Sequence, residues 1–125
     1  MEILTPKHKV IVKVDDLEIT FSKLNYSQFL EIQNCTKIVS GESVTDSASF
    51  IFKYIKYGVK NIKGLTMYGG KPYKIEHDND GLISDSNVED IIMMPIRESL
   101  IQNINTIMNG NINDIHGEVE IKLGK

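Results

Sequence analysis

The chain has 125 residues, 41% of them apolar and 25% charged, enough for one globular domain whose core needs no disulfide or metal staple. A net charge of −3 and a pI near 5.6 argue against bulk attraction to nucleic acid or to an anionic membrane. A single cysteine, Cys35, leaves no internal disulfide; no apolar run approaches the ~18 residues of a membrane helix; and the start, MEILTPKHK, lacks the apolar stretch of a signal peptide, so a cytoplasmic protein is expected.

The first element reads as a β-hairpin. Val10, Val12 and Val14 alternate with Ile11 and Lys13, and Leu17, Ile19 and Phe21 alternate with Glu18 and Thr20. A two-residue turn at Asp15-Asp16 sets Val14 opposite Leu17, Val12 opposite Ile19 and Val10 opposite Phe21, with all six on one face. Next, NYSQFLEIQNCTKIV reads as a helix capped by Asn25, with Gln28 at capping-box spacing and an end before Ser40-Gly41. Tyr26, Phe29, Leu30 and Ile32 would supply its apolar contacts. Residues 40–47 read as a loop, with Thr45 or Asp46 capping a second helix.

The stretch SASFIFKYIKYGVKNIKG reads as one helix. At about 100° per residue, Lys53, Lys56, Lys60 and Lys63 share a narrow arc, while Phe50, Ile51, Phe52, Tyr54, Ile55, Tyr57, Val59 and Ile62 cover nearly all the rest. A surface helix needs an apolar stripe only a little over ~100° wide, so this one must be covered by protein on several sides. It is either a central core helix or an interface for another chain.

Beyond Gly64, LTMYGGKPYKIEH reads as two short strands about Gly69-Gly70, with Pro72 marking an edge. Ser84 or Ser86 can cap a helix through NVEDIIMM, and Pro95 breaks it. In IRESLIQNINTIMNG, Ile96, Leu100, Ile101, Ile104, Ile107 and Met108 share a face, and Gly110 ends the helix. Residues 111–125 read as an edge strand or a mobile tail. The expectation is an α+β domain over residues 1–110, with an N-terminal hairpin, about four helices and a second short hairpin in the middle.

Several arrangements invite a chemical reading. EHDNDGLISDSN spaces acidic residues before a glycine like a calcium loop, with Glu76, Asp78 and Asp80 at alternate positions. The first ligand should be Asp and the twelfth Glu, whereas here they are Glu76 and Asn87, and no helix precedes the loop. A polar turn explains it better. His8, His77, His116 and Cys35 lack the paired spacing of zinc modules, and Cys35 suits a small core position. YGGK lacks the spacing of a phosphate-binding loop, and no arrangement points to an enzyme or a cofactor. From Ser49 to Lys74 there are six lysines and no acid, and from Glu76 to Glu98 seven acids and one arginine. The two halves face each other or water, or else Lys53, Lys56, Lys60 and Lys63 meet an acidic partner or a phosphate backbone.

The order of elements resembles the small tail assembly chaperones of tailed bacteriophages. The resemblance spans roughly residues 10–109 and rests on Val59 and Ile62, Gly64-Leu65, the Gly70 to Tyr73 turn, Asp80-Gly81, and the helix start from Leu82 to Pro95. It implies a non-enzymatic protein in the cytoplasm of the bacterial host. Such a protein binds the tape-measure protein, keeps its apolar helices from aggregating and helps tail-tube subunits polymerise. The docking groove would then be built by Phe50, Ile51, Tyr54, Ile55, Tyr57 and Ile62 with Ile104 and Ile107, flanked by Lys53, Lys56, Lys60 and Lys63. Self-association is compatible with that role. The alternatives are a structural tail or baseplate component retained in the virion, or a small nucleic-acid-binding protein using the lysine stripe.

Overall fold

The alternating apolar residues at the N-terminus fold as their spacing requires in the computed structural model, which describes residues 1–124. Strands β1 (His8–Val14) and β2 (Leu17–Ser22) pair antiparallel, with Val14 opposite Leu17, Val12 opposite Ile19 and Val10 opposite Phe21. Asp15 takes the left-handed backbone that the tight turn needs (φ 52°). Val10, Val12, Ile19 and Phe21 are buried, so one side of the hairpin faces the core.

The next segment departs from expectation. Helix α1 (Tyr26–Gln33) carries the predicted capping box between Asn25 and Gln28 but stops after two turns. The β-branched residues beyond it favour extended backbone. They form a hairpin, β3 (Thr36–Val39) with β4 (Glu42–Thr45), turning at Ser40 and Gly41, both with positive φ. The second hairpin therefore lies where helix and loop were predicted. The stretch about Gly69-Gly70, predicted as two strands, keeps only a single bridge, between Thr66 and Pro72.

Helix α2 (Ser47–Gly58), capped by Asp46, is shorter than the 18-residue helix expected. Val59–Lys63 forms strand β5 instead, antiparallel to β2, with a bulge opposite Thr20 and Phe21. At Gly64 (φ 101°) a side chain would collide with the carbonyl of Asp16, so glycine lets the chain leave β5 against the first hairpin's turn. Helix α3 (Asp85–Ile92) is capped by Ser84, and α4 (Arg97–Met108) comes after Pro95. After a 3₁₀ turn at Ile112–Asp114, β6 (Glu118–Leu123) pairs antiparallel with β1.

The result is an α+β fold with a four-stranded antiparallel sheet in the order β5-β2-β1-β6 and a separate β3-β4 ribbon. Helix α2 sits at the centre, packed by α1, α3, α4 and β2. Its Tyr54, Ile55 and Gly58 are buried, together with Val88 and Ile91 of α3 and Leu100, Ile104 and Ile107 of α4. Among the described residues no helix is long and apolar enough to cross a membrane.

Candidate functional site

The apolar surface of residues 50–62 belongs to the chain's own core. Tyr54, Ile55, Ile62, Ile104 and Ile107 are buried, and Phe50, Ile51 and Tyr57 are half-buried. The rings of Phe50 and Tyr54 stack with centroids 5.3 Å apart. The Tyr54 hydroxyl donates to Asn105 Oδ1 of α4, and the Tyr57 hydroxyl donates to the Glu31 carboxylate of α1. Burial, then the bond to Glu31 and its charge, push the Tyr57 hydroxyl up to about 12. The groove expected between these helices is therefore closed, because α1, α3 and α4 already supply the cover that the wide apolar surface demanded.

The lysine stripe is also redistributed. With β5 a strand, only Lys53 and Lys56 remain on the helix. Lys56 Nζ is held by Asp85 at 2.6 Å, by the Ile83 carbonyl at 2.9 Å and by Asp78 at 3.1 Å. Burial opposes its charge, but the two carboxylates win and hold the ammonium above its ordinary value. Lys56 thus fastens α2 to the acidic half of the chain. Lys63 pairs with Glu18 at 3.4 Å. Lys60 falls at the bulge, where burial, partly opposed by Asp78, lowers its ammonium. The outer sheet face carries Lys60 and Lys63 with Lys9, Lys13 and Lys122, offset by glutamates 18, 118 and 120.

In the calcium-like loop Asp78 braces the turn and ties it to α2. Asp78 Oδ1 accepts from the backbone N–H groups of Asp80 at 2.9 Å and Leu82 at 3.0 Å, while Oδ2 takes Lys56. Asn87, which sequence reasoning treated only as a failed ligand, is a buried hub. Its Oδ1 accepts from the Glu76 N–H at 2.8 Å and from Ser84 Oγ at 2.7 Å; its Nδ2 donates to Tyr73 Oη at 2.8 Å and to the Lys74 carbonyl at 3.1 Å. All four of its side-chain bonds are made. Tyr73 in turn donates to Asp90 at 2.7 Å. Among the described residues no group of three or more His, Cys, Asp or Glu side chains is placed to hold a metal, and Cys35 is a buried free thiol.

Uncovered apolar residues lie elsewhere, among them Ile3, Met67, Tyr68 and Met93, and a group of them sits on α1 and the β3-β4 ribbon. On α1, Tyr26, Phe29 and Leu30 fall within an arc of about 100° at helical spacing and are exposed, while Ile32 alone is buried. The β3-β4 ribbon exposes Ile38, Val39 and Val44. Val39 and Val44 line a groove of about 340 Å³ with Asn34 and Cys35 at the end of α1 and Ser49 and Lys53 of α2; Lys37 and Lys53 bring two positive charges to it and Asp46 one negative. The signal in the sequence was the clustering of Tyr26, Phe29 and Leu30, read there only as the helix's apolar contacts. No family model, curated protein or solved structure matches the chain.

Proposed function

We propose that this protein is a non-enzymatic tail assembly chaperone or tail accessory protein of a tailed bacteriophage, acting in the cytoplasm of the host. Its client would be an apolar helical segment such as the tape-measure protein supplies. The observation that carries the reading is the exposure of six large apolar residues on α1 and the β3-β4 ribbon (Tyr26, Phe29, Leu30, Ile38, Val39 and Val44), beside a core that is complete without them. Apolar exposure on neighbouring elements marks a surface that gains by being covered. A groove with valines along it, and with Lys37 and Lys53 outweighing Asp46 in charge, suits an amphipathic helix with acidic flanks. The resemblance in sequence supplies the phage context. The turns that carry it act in the fold: Tyr73 of the Gly70–Tyr73 turn is bonded to Asp90 and Asn87 of α3.

Co-expression with the tape-measure protein from the same gene cluster tests this. The reading predicts a marked rise in that protein's soluble fraction and its co-purification with the chain; unchanged insolubility would contradict it. A second reading, a structural tail component retained in the virion, draws on the open β6 edge of the sheet. Mass spectrometry of purified virions separates the two, because a chaperone is absent from them and a structural component is present in many copies.

A further inference from the structure

Strand β6 is an open sheet edge whose protection is limited to the charges of Glu118, Glu120 and Lys122 on one face. It pairs with β1 along six residues in unbroken register, and no strand of the described chain lies on its other side. It holds no proline and no bulge. The Gly124 N–H donates to the Lys7 carbonyl at 2.8 Å, so Gly124 points its backbone toward β1. Alternation along an antiparallel strand then turns the polar groups of Lys122, Glu120 and Glu118 toward β1 and those of Val119, Ile121 and Leu123 outward. The same three side chains lie on the helix side of the sheet, opposite Val12, Val10 and His8. The helices do not reach that far, and Ile121 and Leu123 stay 45% and 71% exposed.

We infer that two copies of this chain pair through β6, antiparallel about Ile121, joining their sheets into one eight-stranded sheet. The strand is complementary to itself in that register. Ile121 meets Ile121 of the second copy and Val119 meets Leu123, so every outward N–H and C=O of these residues finds a partner. On the polar face Glu120 meets Lys122 of the second copy, twice by symmetry. A shift by one residue on each strand sets Glu120 against Glu120. Within one chain Lys122 sits directly across from Lys9, and its carboxylate, Glu120 at 3.6 Å, is on its own strand. The second copy supplies a carboxylate on the open side.

Light scattering coupled to gel filtration of the full chain, at micromolar concentration and moderate salt, is expected to give twice the 14.1 kDa monomer mass. A monomer throughout overturns the proposal, whatever else binds the edge. Of the backbone hydrogen-bonding groups Ile121→Pro removes only an outward N–H, so the variant should stay folded by circular dichroism and be monomeric; a folded dimeric variant overturns the proposal. Glu120→Lys and Lys122→Glu should each weaken the dimer about tenfold or more, because two opposite-charge pairs become like-charge pairs. Mixing these two variants should restore a dimer of one copy of each. Failure of the mixture to associate would mean the copies do not meet in this register.

Discussion

Where α2 crosses α4, Gly58 lets the two helices approach. A methyl group there would lie 2.6 Å from Ile104 Cδ1, 2.8 Å from Cγ1 and 3.1 Å from Cγ2. Ordinary carbon contacts are near 3.5–4.0 Å, so Gly58→Ala demands a shift of about 1 Å. Ile104 is 1% exposed and branched at Cβ, which leaves it little room to turn away. Overpacking of this kind costs about 1–3 kcal/mol, and the better helix propensity of alanine returns at most about 1 kcal/mol at an interior site, less at the last residue of a helix. The net loss should be about 1–2 kcal/mol, a fall in Tm of about 4–8 °C for a domain of this size. Ile104→Val alone should cost about 0.5–1.5 kcal/mol, but in the Gly58→Ala background much of that cost should vanish, since the nearest clashing atom is gone. Denaturant unfolding of the four proteins of the cycle measures this. Neutrality of Gly58→Ala, or strict additivity in the double variant, would refute the packing argument.

Three further outcomes follow from the hydrogen bonds and charges. Asn87→Ala leaves the Glu76 N–H and the Lys74 carbonyl without their partner and should cost about 2 kcal/mol or more by urea unfolding; a loss under about 0.5 kcal/mol would remove Asn87 as the anchor of this loop. Asp78 is held below its ordinary 3.8: burial opposes this, but Lys56 and the Leu82 and Asp80 N–H groups outweigh it. Asp46 is lowered as well, chiefly by the Ser49 hydroxyl and N–H. Because the unfolded chain binds these protons more readily, their contribution is present above about pH 4 and is lost as pH falls through the folded values. Asp78→Asn should flatten that acid limb in thermal melts, and an unchanged slope would count against the Lys56–Asp78 pair. Tyr57 has the opposite sign. Its hydroxyl is raised to about 12, so its contribution is intact below the ordinary value of 10 and is lost as pH climbs toward 12. Absorbance titration should lose its last-ionising component in Tyr57→Phe, and Glu31→Gln should shift that component down. Titration of Tyr57 with the other tyrosines would show that the contact with Glu31 is absent in solution.

Local rules carried the parts of the fold that local rules control. The first hairpin's register followed from strict alternation, the cap at Asn25 followed from its capping-box spacing, and Asp46 and Ser84 are each one of the two cap candidates that side-chain chemistry offered. The α4 face emerged from its spacing, with Leu100, Ile104 and Ile107 inward. The misses came where two periods overlap. In VKNIK, Val59 and Ile62 fit a helical stripe as well as a bulged strand, and the pairing partner that decides, β2, lies some 40 residues away. In CTKIV the β-branched run outweighs helix continuation, a preference present in the sequence but masked by the helical signal before it. The wide apolar surface around Tyr54 does need cover, yet composition cannot say who provides it. Three helices of the same chain do. Tyr26, Phe29 and Leu30 show the converse, since a stripe at helical spacing gives the face but not its direction.

On the proposed function, the apolar surface of α1 and the β3-β4 ribbon receives a client helix. Val39 and Val44 are 55% and 50% exposed, so the double variant Val39→Glu/Val44→Glu should still fold, at a cost of about 1 kcal/mol because position 39 faces Glu42 across the ribbon, while placing two carboxylates in the groove. Co-expressing it with the tape-measure protein, beside the wild-type chain, is the most direct measurement. The wild type should keep the client soluble and bound, and the folded variant should lose both. Equal rescue by the two proteins would contradict that function.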